Sequence, residues 1–139
     1  MTTNIRPEIS EKNKYWIDRH RHYELKHFCL QYPAWKKSYN VYNELCLPSS
    51  SFERRSSTNI PSDLTGKYAI LRAQYAEKIN LIESVALEAD EDLYVYILRA
   101  VTEGLSYTYL KTVHNIPCSR DTYYDRYRRF FWILNKSRD

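Results

Sequence analysis

Residues 119–129 read SRDTYYDRYRR, and their types and spacing suit double-stranded DNA. Arg120 can grip a guanine through its two major-groove acceptors, and Thr122 can meet a thymine methyl. Asp121 can accept from a cytosine amine, or it can simply complement the dipole at a helix start; the residue types leave both open. Tyr124 sits on the flank of the same first turn. Arg128 and Arg129 lie further along, where a groove wall brings phosphates close. Lys111, some ten residues earlier, can reach the same backbone. Phosphate contacts supply affinity and its salt dependence, and the few base contacts supply sequence preference.

Such side chains need a rigid helix and a tight turn before it. Ser106 is a good N-cap for a short helix over 107–114, with Tyr109, Leu110 and Val113 as its apolar face. Asn115 can close that helix in the left-handed region, which asparagine tolerates better than most residues. Ile116 then plugs the core, Pro117 bars continuation, and Ser119 caps a final helix over 120–136. Tyr123, Tyr127, Phe130, Phe131 and Leu134 define that helix's inward stripe. The opposite face carries Asp121, Thr122, Asp125, Arg128, Arg129 and Trp132, with Arg126 on the flank. The layout is that of a helix-turn-helix. The competing reading is two ordinary core helices of a bundle.

The rest of the chain reads as scaffold. Only 2 of 139 residues are glycine and 5 are proline, 43% are hydrophobic, and helix formers are plentiful, so the expected class is all-α. After a loose arm over 1–14, Asp18 caps a helix whose stripe is Tyr23, Leu25, Phe28, Cys29 and Tyr32. Pro33 ends it and opens a second helix over 34–45 bearing Trp35, Tyr39, Tyr42 and Leu45, which makes 1–45 an N-terminal arm and helical hairpin. Residues 46–62 hold six serines and two prolines and read as a flexible linker, with Phe52 and the pair Arg54-Arg55 inside it. The third segment, 63–139, joins a long central helix to the C-terminal helix-turn-helix. In that central helix Leu64, Tyr68, Leu71, Tyr75, Ile79, Ile82, Ala86 and Ala89 step as a near-heptad seam, fit for a core or a contact between copies. Asp90, Glu91 and Asp92 read as caps for a helix over 91–103, which places Leu93, Tyr96, Ile97 and Ala100 inward and ends at Gly104.

Charge supports nucleic acid as the partner. The net charge is +4, and residues 93–139 carry eight Lys/Arg against four Asp/Glu. No stretch is apolar enough to span a membrane, the N-terminus lacks an apolar signal core, and Cys29, Cys46 and Cys118 fit free thiols in a reducing cytoplasm. An enzyme is not expected, because there is no Gly-rich phosphate loop and no Ser-His-Asp order. Neither a cofactor nor a metal is expected; His22, His27 and Cys29 read as solvated or interfacial groups rather than ligands.

Residues 89–136 resemble the RinA/ArpU-like group of late-gene transcriptional regulators of phages and integrative elements in Gram-positive bacteria, whose C-terminal part looks like the helix-turn-helix of sigma factor region 4. The likeness rests on IPCSRDTYYDRYRRFF. There Ser119 matches the helix cap, residues 122–124 the first recognition turn, and residues 126–129 the basic follow-on. The block YWIDRHRHYELKHFCLQYPAWKKSYN resembles mobile-element proteins. The resemblance implies a sequence-specific DNA-binding regulator of a phage or integrated element, and because a helix-turn-helix monomer makes few contacts, a homodimer or higher oligomer would raise its affinity. The alternative is a protein-binding module that uses its 14 tyrosines to dock on RNA polymerase or a defence nuclease.

Overall fold

The computed structural model describes residues 11–47 and 62–138, and all regular structure among them is helical. Among the described residues six helices follow in order: α1 Arg19–Leu30, α2 Tyr32–Cys46, α3 Ser62–Ala89, α4 Tyr94–Glu103, α5 Tyr107–His114 and α6 Arg120–Arg138. The expected all-α class, with two N-terminal helices, a long central helix and C-terminal helices, is therefore present. Most of the proposed linker, with Phe52, Arg54 and Arg55, and most of the N-terminal arm lie outside the described residues. No described helix is long and apolar enough to cross a membrane.

Local chemistry sets the helix ends. The Asp18 carboxylate accepts from the His20 amide and starts α1. Pro33 sits in the first turn of α2, where its missing N–H is harmless. Asp90 Oδ1 accepts from the amides of Asp92 and Leu93, at 2.9 and 3.0 Å. That cap shapes a turn over 91–93, so α4 begins at Tyr94, later than the acidic run implied. Gly104 ends α4 at φ 73°, ψ 31°, a left-handed conformation that glycine adopts without steric cost.

The chain packs as two compact units. One takes the described residues up to Tyr32 and from Leu81 on; the other is Pro33–Asn80. Packing thus groups α1 with the C-terminal helices rather than with its neighbour in sequence. In the first unit α1 lies against α4 and α6, and α4 lies against α5 and α6. Its core is built from Leu25, Ile82, Ile97, Leu110, Ile116, Tyr123, Phe130, Phe131 and Leu134. Each such side chain stabilises the fold by roughly 1.5–3 kcal/mol relative to exposure. On α1 the inward residues are His22, Leu25 and Cys29, while Tyr23 is 39% exposed. The expected stripe thus keeps Leu25 and Cys29 inward, while His22 takes the place of Tyr23. His22 meets Phe131 edge-on with ring centroids 4.8 Å apart.

In the second unit α2 runs antiparallel to the first part of α3. Trp35 meets Lys78, and further along α2 Asn43 bonds Arg72 and Tyr42 meets Tyr68 and Tyr75. The seam of α3 is half-buried from Leu64 to Tyr75 and becomes fully buried at Ile79, Ile82, Ala86 and Ala89.

Candidate nucleic-acid interface

The turn between α5 and α6 is closed by backbone chemistry. Ser106 caps α5 by accepting from the Tyr109 amide. Asn115 ends it at φ 54°, ψ 48°, and the amides of Asn115 and Ile116 both donate to the Leu110 carbonyl. The bond from Ile116 reaches back six positions and brings Ile116 and Leu110, both fully buried, together at the helix end. The Tyr107 hydroxyl donates to the Cys118 carbonyl at 2.6 Å, which pins α5 to the far side of the turn. Ser119 Oγ accepts from the Thr122 amide at 3.2 Å and starts α6. Helix, turn and helix are thus fixed as the sequence expects.

Two details of α5 differ. Tyr107 and Leu110 face inward, whereas Tyr109 and Val113 are 42% and 56% exposed. Three residues separate Tyr107 from Leu110, so they share a face, and Tyr107 is held there by its bond to Cys118. On α6 the expected stripe of Tyr123, Tyr127, Phe130, Phe131 and Leu134 is buried throughout. Burial pushes the hydroxyls of Tyr123 and Tyr127 well above the usual tyrosine range.

The candidate DNA-contacting residues separate into three sets. Arg120, Asp121, Thr122 and Lys111 are exposed. Arg120 lies over the Tyr107 ring, 5.0 Å from its centroid, and its Nη2 approaches Thr108 Oγ1 at 3.4 Å. Lys111 Nζ approaches the Ile116 carbonyl at 3.4 Å. Both tethers are long; that of Arg120 is exposed and that of Lys111 half-buried. Ser119 is exposed but occupied as the cap, and its hydroxyl also donates to Thr122 Oγ1.

The second set is withdrawn from contact. Tyr124 is 8% exposed, with its ring 4.9 Å from that of Tyr123, so its assignment as a DNA-contacting residue is corrected to a packing role. The cause is the inward face, which is wider on both flanks than the five-residue spacing implies and takes in Tyr124 on one side and Ile133 on the other. Arg129 is half-buried: Nη1 bonds the Tyr15 hydroxyl at 3.4 Å and Nη2 the Glu88 carbonyl at 3.5 Å. Arg126 pairs with Asp90 at 3.1 Å and with Asp125 at 3.4 Å. Neither is part of a free basic ridge. Nothing in the sequence near α6 signals these partners, because Tyr15, Glu88 and Asp90 arrive from elsewhere in the chain.

Arg128 forms the third set. It is half-exposed, and its Nε is buried with no hydrogen-bond partner among the described residues. Burial raises the Tyr124 hydroxyl's pKa, and the positive charges of Arg120 and Arg128 oppose that rise. Arg120, Tyr124 and Arg128 follow one another at four-residue steps, which sets the two arginines about 12 Å apart along the axis on either side of the buried Tyr124. Among the described residues, no group of three His, Cys, Asp or Glu side chains could hold a metal ion. Compared with family models, with curated proteins and with solved structures, the chain gives no match in any of the three.

Proposed function

We propose that the protein is a sequence-specific double-stranded DNA-binding regulator of a phage or integrative element, which reads the major groove with the first turns of α6. The observation that carries this reading is the pair Arg120 and Arg128, standing on one stripe of a helix that follows a closed, capped turn. Arg128 is half-exposed, so its guanidinium can pair with an anionic phosphate. Arg120 and Thr122 take the base edges, Asp121 takes a cytosine amine or supports the helix start, and Arg128 and Lys111 take phosphates. The assignment agrees with the resemblance of residues 89–136 to late-gene regulators.

Selection of bound duplexes from a random pool by the full chain tests it. One enriched motif is expected. Arg120→Ala should then relax preference at a single position, at a cost of about 1–3 kcal/mol, whereas Arg128→Ala should weaken binding to every sequence alike. A pool that shows no enrichment would remove the reading. Docking on a protein such as RNA polymerase is the second reading. It draws on the exposed Tyr109 and Val113 of α5, and Tyr109 stands beside His114 and Arg99. It predicts capture of the protein partner without DNA.

A further inference from the structure

The antiparallel pair within Pro33–Asn80 leaves much of itself uncovered. Of its described residues Trp35 and Ile79 are the buried apolar ones, while Val41, Leu45, Leu47 and Ile70 are 51%, 50%, 54% and 60% exposed. Two helices alone cannot enclose a core. The outer face of α2 also carries a charge pattern. Lys37 and Glu44 are both exposed, and seven residues apart they fall on one stripe, two turns from each other, with Val41 between them and Leu45 beside Glu44.

That order of charges is self-complementary. A two-fold axis beside Val41 that lays α2 antiparallel on its own copy sets each Lys37 against the copy's Glu44. It also brings Val41 onto Val41 and closes Leu45 over the copy's Lys37 stem. A parallel arrangement would set Lys37 on Lys37 and Glu44 on Glu44, and like charges oppose it. We infer that α2 is a homodimer interface, and that the occupant of its Lys37–Val41–Glu44 face is a second copy of this chain. The inference goes beyond DNA recognition but serves it, since two linked copies can hold two half-sites one helical turn apart.

Charge exchange tests it on the full chain without DNA. Sedimentation across a concentration series should show the 16.8 kDa chain reaching twice that mass. Lys37→Glu and Glu44→Lys should each shift the midpoint at least tenfold to higher concentration, because each sets like charges together. An equal mixture of the two variants should dimerise at least as well as the wild type, because one copy then offers two carboxylates to two ammonium groups. Both changes leave a helical surface intact, which far-UV circular dichroism checks. A chain of 16.8 kDa at every concentration would overturn the inference, and so would single variants that dimerise like the wild type or a mixture that fails to dimerise. DNA selection with the Lys37→Glu chain separates the two claims: an enriched half-site from a monomer keeps the groove reading whatever becomes of the interface.

Discussion

Replacing Asn115 should separate two contributions to the turn that presents α6. Asn115 holds φ 54°, ψ 48°, the one positive-φ non-glycine among the described residues, and its amide closes α5 on Leu110. The left-handed region costs an L-residue roughly 1–2 kcal/mol, less for asparagine because of its short polar side chain. Asn115→Ala should therefore destabilise the protein by about 1 kcal/mol, and Asn115→Val, with its branched Cβ, by about 2 kcal/mol. Asn115→Gly removes the steric cost but adds unfolded-chain freedom of about 0.5–1 kcal/mol, and the two nearly cancel. For a chain of this size 1 kcal/mol corresponds to roughly 3–5 °C in Tm. Thermal melts followed by circular dichroism should rank the four proteins with wild type and Gly together, then Ala, then Val. An alanine variant as stable as the wild type, or a glycine variant as unstable as the alanine one, would refute the argument from backbone strain.

Other outcomes follow from the same geometry. Ser119→Ala removes the acceptor for the Thr122 amide and should cost about 1 kcal/mol in urea unfolding, while Ser119→Asp should retain most of the cap. Alkaline pH should unfold the protein. Burial raises Tyr123 and Tyr127 above their ordinary value of 10.0 and Cys29 above 9.0, so the folded state holds these protons when the unfolded chain releases them. That contribution is complete below about pH 9 and is lost as pH climbs. Denaturant midpoints measured at rising pH should fall above that point, with late-titrating tyrosines ionising together with unfolding. A midpoint flat to about pH 11 would contradict the burial of these groups.

Much of this architecture is written in local chemistry. Asp18, Gly104, Ser106, Asn115, Pro117 and Ser119 each act within a few residues of themselves, so caps and breaks are legible without knowledge of the fold. The inward stripe of α6 is legible for a similar reason, because five aromatic and aliphatic residues at helical spacing leave one solution. What sequence could not supply was long-range partnership. Arg126, Arg128 and Arg129 look alike in sequence. Arg126 is ion-paired with Asp90 and Arg129 bonds Tyr15 and Glu88, while Arg128 is half-exposed on the flank of the buried Tyr124. Those three partners precede α6 by dozens of residues. Tyr124 and Tyr109 were misplaced for a related reason: tyrosine suits an interior or a surface equally, and the helices packed against it decide which.

The most direct test of the account is the salt dependence of binding to the selected duplex. Arg126 is ion-paired and Arg129 is tethered, so on the proposed reading Lys111 and Arg128, the cations assigned to phosphates, should displace counterions at each half-site. The logarithm of the binding constant should fall against the logarithm of salt with a slope of about −2 per chain. Arg128→Ala should reduce that slope by about one, and Arg129→Ala should leave it unchanged. A slope near zero, or an equal loss of slope from Arg129→Ala, would contradict the assignment of the groove-facing cations.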